Sequence, residues 1–311
     1  MSTSWVAASV RARALAHRRI GGAGTRELAA SPTLERALTV LADSPYGRDV
    51  HHGQSLPEGQ HAVASTLLWH IRVLAGWLPR GDARFLRVLA GGFEVANVDE
   101  RLREIAGGAP EPPFRLGGLS TTWTALAGAT SAEQMRTLLA RSVWGDPGVD
   151  NPDGIRLAMR LAWAGRVSAN VPRARAWAVG AATLMIARPH LLDDRPMPAS
   201  TALLTTRLLG THWQESRTLA GFIDSLPTDA RWPLASIDDP VDLWRAEASW
   251  WARVAADGFA LLRQPVGSPD PVIGAVAVLA TDAWRVRAAL EVATRGGISA
   301  PGGLEAFDAV A

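Results

Sequence analysis

Residues 33–47 read TLERALTVLADSPYG, and residues 131–145 read SAEQMRTLLARSVWG. At this offset of 98, six of fifteen positions are identical: Glu35/Glu133, Thr39/Thr137, Leu41/Leu139, Ala42/Ala140, Ser44/Ser142 and Gly47/Gly145. Thr33/Ser131, Val40/Leu138 and Tyr46/Trp144 are close exchanges. Each stretch reads as a short helix that stops at a Ser, an aromatic residue and a Gly. A Gly there suits the left-handed turn that ends many helices, and the aromatic ring before it is placed to fold back as an apolar plug. Recurrence at a fixed offset predicts repeated structural units.

A second recurrence lies further along. Residues 176–188 share Ala, Trp, Val, Ala, Ala and Arg with residues 283–295 at an offset of 107. Glu94, Val98, Leu102 and Gly108 recur as Asp282, Val286, Leu290 and Gly296. Between them lie helical signals and few others. Val63, Leu67, Leu68, Ile71, Leu74 and Leu78 line one face of a long helix starting at Pro57. Val272, Val276, Leu279, Ala283, Val286, Leu290 and Ala293 form a stripe in the last long helix, with Asp282, Arg285, Arg287 and Glu291 expected on its solvated back. Ser31 with Pro32, Ser131 with Gln134, and Thr211 with Gln214 look like helix starts. Gly91 and Gly92 are expected to weaken or bend the helix that contains them. No run alternates with period two. The expected fold is all-α: three pseudo-repeated helical units, 1–118, 119–199 and 200–311, separated near the Pro/Gly-rich 109–118 and 189–199.

Composition narrows function. Apolar residues make up 48% of the 311, ample for a core, and cysteine is absent, so disulfides and thiolate metal sites are excluded. Every one of the 32 basic residues is Arg, and the formal charge is only +2, so charge balance gives no nucleic-acid signature. The acid-free first 26 residues superficially resemble a transit peptide but are expected to form an ordinary first helix. No stretch reaches the ~18–20 apolar residues needed to span a bilayer.

Candidate chemistry is sparse. His51, His52, His61 and His70, with Asp49 and Glu58, could supply metal ligands. His61 and His70 lie nine residues apart and do not converge on one helix face, and His51 and His52 lie in a loop. Asp193-Asp194 and Asp238-Asp239 read as turn and cap residues rather than a Mg²⁺ site. Phosphate-loop, nucleophile-elbow and zinc-protease motifs are missing. No catalytic, cofactor or metal residue is therefore assigned. Basic side chains cluster on the first helix (Arg11, Arg13, Arg18, Arg19) and around Arg72, Arg80, Arg84 and Arg87. Arg11, Arg13, Arg84 and Arg87 are the expected partner-binding residues.

Three places carry a resemblance. The segment 9–15 (SVRARAL) looks like an "A-R-V-R-A-M/L" opening, and 33–47 looks like a "sleeALxxLxxTxYG" helix and stop. Glu94-Val-Ala-Asn97-Val98 and Asp282-Ala-Trp-Arg-Val286 look like "E/D-x-x-N-I/L-x-x-x-L" helices, and Leu116-Gly-Gly-Leu119 sits where a second unit begins. In the last third, Ser225-Leu-Pro227 stands where the Tyr-Gly stop would be. Together these features resemble the central-stalk connector family of V-type and A-type rotary ATPases, which has members in prokaryotes and in eukaryotes. The resemblance implies a funnel of three helical units, without a catalytic site or cofactor, peripheral at the cytoplasmic face of a membrane. It implies membrane rotor ring subunits and axle subunits as partners, in ion transport. Two alternatives stay open: a helical-bundle metal-dependent enzyme using His51, His52 or His61, and a helical interaction adaptor outside the motor.

Overall fold

The computed structural model describes residues 3–79, 81–192 and 198–297. Among these residues every regular element is helical. In chain order the α-helices are α1 (Thr3–Ala16), α2 (Gly21–Ala29), α3 (Leu34–Ala42), α4 (Leu56–Gly76), α5 (Arg84–Leu89), α6 (Gly91–Ile105), α7 (Trp123–Leu126) and α8 (Ala132–Ala140). They continue as α9 (Pro152–Asn170), α10 (Arg175–Leu191), α11 (Ala199–Leu209), α12 (Leu219–Ser225), α13 (Thr228–Arg231), α14 (Leu243–Leu262) and α15 (Asp270–Thr294). By compactness the chain divides into two units: Met1–Gly81 with Ala248–Ala311, and Asp82–Glu247. This division does not follow the expected boundaries at 118 and 199.

The first unit is built on α15. Its N-terminal half, from Pro271 to Leu279, is buried on every side, so the expected solvated back begins only after it. A helix apolar all round is one enclosed by neighbours, and α1, α2, α3 and α4 all pack against α15. Val286, Ala289, Leu290 and Ala293 from α15 meet Leu28, Ala37, Leu38, Leu41, Tyr46, Ala62 and Val63 in one core. Fully burying a Val or Leu side chain contributes about 1.5–3 kcal/mol.

The second unit has α9 at its centre, packed by α5, α6, α10 and α11. Gly91 and Gly92 do more than weaken a helix. The helix breaks at Ala90, α6 restarts at Gly91, and a Cβ on either glycine would fall within 3 Å of the Trp163 ring of α9. Val95, Val98 and Leu102 of α6 meet Leu126, Met135, Leu139, Trp144, Ile155 and Met159. This core uses the same positions as the first. Leu28, Ala37, Leu41 and Tyr46 correspond to Leu126, Met135, Leu139 and Trp144 at offset 98, and Val98 and Leu102 correspond to Val286 and Leu290 at offset 188.

The two quoted stretches also share their local geometry. The Thr33 hydroxyl accepts from the Arg36 amide at 3.2 Å, and the Ser131 hydroxyl from the Gln134 amide at 3.1 Å. The Thr39 and Thr137 hydroxyls each bond the carbonyl four residues back. At the stop, the Ser44 and Ser142 hydroxyls donate to Leu41 and Leu139, and accept from the Tyr46 and Trp144 amides, both at 3.1 Å. The glycines differ in cause. Gly145 has φ +79°, the expected left-handed stop, whereas Gly47 is not left-handed, and a Cβ there would lie 1.9 Å from the Ala42 carbonyl oxygen.

Of three expected helix starts two are corrected, and the Ser131 start of α8 holds with a different partner for the Gln134 side chain. Thr33, not Ser31, caps α3, because the 31–32 segment remains outside the helix. Gln134 reaches back to the Thr130 amide and hydroxyl, one residue before the cap. Residues 211–214 start no α-helix: His212–Glu215 is a short 3₁₀ turn, and the following helix α12 is capped by Thr218.

Candidate functional site

Two helices that bind to neighbours start without a local capping side chain. The residue before α2 is Ile20, which has no oxygen to offer, and Thr122 before α7 makes no side-chain cap of its own. Unpaired N–H groups at a helix start call for an acceptor. In both cases a buried carboxylate supplies it from a distant helix. Asp282 of α15 accepts from the Gly21 amide at 2.7 Å, the Ile20 amide at 3.1 Å and the Tyr46 hydroxyl at 2.9 Å. Glu94 of α6 accepts from the Thr121 amide at 2.9 Å, the Thr122 amide and the Thr122 hydroxyl at 2.7 Å. That hydroxyl in turn accepts from the Trp144 indole at 2.9 Å.

The stop residue of each short helix thus ends on the acid that holds the neighbouring helix start, Tyr46 directly on Asp282 and Trp144 through Thr122 on Glu94. Burial, with the Asp282 carboxylate alongside, holds the Tyr46 phenol well above its ordinary value. Asp282 and Glu94 are 2% and 0% exposed, so each would be costly without these donors. With their lone pairs engaged they fix backbone rather than handle a substrate. The solvated position expected for Asp282 is therefore overturned.

The corresponding position on α10 is Arg175, which faces Asp229 at 3.7 Å. There α10 holds its neighbours by other means: the Thr183 hydroxyl donates to the Ala230 carbonyl at 3.0 Å, and the His190 ring packs on Trp213 and Phe222.

The sequence-assigned basic residues are distributed between the units. Arg11 and Arg13 belong to α1 in the first, Arg84 and Arg87 to α5 in the second. Arg13 is largely committed: its guanidinium donates to the carbonyls of Leu262 at 3.0 Å and Gln264 at 2.7 Å, past the end of α14. Arg87 donates to the Gly118 carbonyl, while Arg84 and Arg72 are exposed. Arg80 and the pair Asp193-Asp194 lie outside the described residues. Asp239 caps the turn at Pro240–Asp242, as expected of a turn residue.

An open groove of about 430 Å³ lies where the ends of α1 and α14 meet, lined by Arg13, His17, Arg19, Phe259, Leu262 and Arg263 among others. The Arg19 guanidinium stacks over the Phe259 ring at 4.8 Å and donates to the Ala16 carbonyl at 2.9 Å. Among the described residues no carboxylate pairs with any of these cations.

The histidines do not gather. His51 and His52 are exposed, and the His52 ring lies 3.3 Å from the Thr39 hydroxyl. His70 is buried on α4. Burial, reinforced by Arg18, Arg11 and Arg48 and opposed by Asp49, lowers its pKa to about 4. Among the described residues no group of three or more His, Asp or Glu is placed to hold a metal ion. No described helix is long and apolar enough to cross a membrane.

The buried acids and the α14 half of the groove escaped the sequence reading. The acids carried a signal: an acid recurring at fixed spacing from a Val and a Leu, and for α2 a helix start at Ile20 with no capping residue. Phe259 and Arg263 carried none, since nothing local marks which helix ends meet. No protein-family model matches the chain, and no curated protein matches it.

Proposed function

We propose that this chain is a non-catalytic central-stalk connector of a V/A-type rotary ATPase. In this reading three helical units form a funnel that seats the soluble axle on the membrane rotor ring, at the cytoplasmic face, and so couples ATP chemistry to ion movement. The observation that carries it is a hand-over between successive elements. The helix α6 holds the short helix α7 and shares a core with α8, α10 holds α12 and α13, and the last described helix α15 holds the first short pair, α2 and α3. Three long helices of similar length, α4, α9 and α14, separate these groups. A recurring group of short helices held by a longer one, with the last such helix packed on the first short pair, supports the three-unit reading. The loosely matching motifs of 9–15, 33–47 and 94–102 support the same family. A torque coupler also needs junctions that do not slide, and fully satisfied buried carboxylates are suited to that because any shift would strand a charge.

The test is reconstitution. Tagged full-length protein is mixed with the rotor ring in nanodiscs and with the axle subunits, all from the source organism. A stoichiometric complex with both is expected. A chain that stays monomeric in the presence of both overturns the assignment and leaves an interaction adaptor of another kind.

A further inference from the structure

The groove between the ends of α1 and α14 is unlike the other charged surfaces of the chain. Three guanidiniums and an imidazole (Arg13, Arg19, Arg263 and His17) surround an apolar floor of Phe259 and Leu262, and no described carboxylate pairs with them. Two of the arginines are held in place. Arg13 is pinned by two carbonyls and Arg19 by one carbonyl and the Phe259 ring, so the groove is organised in advance. Arg263 and His17 stand exposed at the rim.

We propose that this groove binds an acidic segment of a partner polypeptide, with carboxylates on the guanidiniums and one apolar side chain on the floor. Charge complementarity sets the sign of the ligand. Guanidinium forks favour planar carboxylate partners. The shape sets its class, because the groove is about half open to solvent, while a small ligand normally has about 70–90% of its surface enclosed. A nucleotide is disfavoured further because Arg19 already covers the Phe259 face on which a base would stack. A chain segment lying across the opening meets neither objection. The inference stands on the groove alone and survives failure of the rotary assignment.

The experiment uses full-length protein and a fluorescein-labelled peptide of about ten residues, alternating Glu and Asp around a central Leu. Its Gln/Asn counterpart is the control, and anisotropy is the readout. The acidic peptide is expected to bind and the neutral one not, with binding lost at about 0.5 M salt. Arg263→Glu and His17→Glu, both at exposed positions, are expected to weaken binding by about tenfold or more, with the fold checked by circular dichroism. Arg207→Glu, at an exposed position on α11 in the other unit, changes net charge as much as Arg263→Glu does and is expected to leave binding within about twofold. Equal weakening by Arg207→Glu, no binding of the acidic peptide, or displacement by pyrophosphate or ATP below the peptide's own Kd would each overturn the proposal.

Discussion

Asp282 shows at the scale of one residue how this chain holds itself together. Its carboxylate meets the start of α2 and the stop residue of α3, some 236–262 positions away in sequence. In Asp282→Ala two backbone amides and a buried phenol lose their acceptor together, so a loss of roughly 3 kcal/mol or more is expected. Tyr46→Phe removes one donor and leaves the other two bonds, so about 1 kcal/mol is expected. Urea titration followed by fluorescence checks the ordering, and equal effects would mean that Asp282 acts only through Tyr46. His70 gives a pH dependence. Its folded pKa of about 4 lies below the ordinary 6.5, so the unfolded chain takes up the proton first as pH falls. The contribution of neutral His70 is complete above pH 6.5 and is lost as pH drops towards 4. At 1.36 kcal/mol per pKa unit the total is about 3 kcal/mol. Between those pH values the wild type is expected to lose about that much more stability than His70→Leu. Parallel curves would mean that burial, with Arg18, Arg11, Arg48 and Asp49 around it, leaves the site indifferent to its proton.

Among the elements, the repeated short helix was the most legible in sequence, because everything that shapes it is local. Cap, back-bonding Thr, Ser latch and stop glycine lie within fifteen residues, and side-chain chemistry sets each one. What the residues did not reveal is that the two glycines serve different ends. Gly145→Ala strains a left-handed residue at about 1 kcal/mol. In Gly47→Ala the new methyl lies 1.9 Å from the Ala42 carbonyl, so the turn itself must move, at a cost of about 2 kcal/mol or more. Thermal melts of the two variants are expected to rank Gly47→Ala well below Gly145→Ala. The reverse order would show that the α3 turn relaxes where the α8 turn does not. Thr211–Gln214 failed as a helix start for the converse reason. Its spacing matched a capping box, but Trp213 is buried with its indole on the Gly210 carbonyl, and packing took the segment into a 3₁₀ turn.

Across the whole molecule, all-α character followed from periodicity, whereas the division into units did not, because an apolar stripe does not say which helix will cover it. The Pro/Gly-rich stretches 109–118 and 189–199 suggested cuts near 118 and 199, whereas by compactness the first unit draws on both ends of the chain. The reason is α15: buried on all sides through its first half and carrying Asp282, it is the surface on which α1 to α4 fold. This makes a prediction about truncation. A chain ending at 269 loses α15, and with it Val286, Ala289, Leu290 and Ala293 from the shared core and the acceptor for Ile20, Gly21 and Tyr46. The isolated helices are α2 and α3, each of nine residues, and α4 of twenty-one. Helices shorter than about 12–15 residues are marginal in water, so α2 and α3 should unfold outright and α4 should fray. The core formed by α6, α8 and α9 lies wholly in the other unit. Hydrogen exchange read by mass spectrometry is therefore expected to show near-complete loss of protection in 21–42, reduced protection in 56–76 and retained protection in 91–170. A control chain ending at 297 keeps α15 and should retain protection in 21–76. Protection retained in α2 and α3 without α15 would show that these helices fold on one another, and Asp282 would then be an ornament of the first unit rather than its keystone.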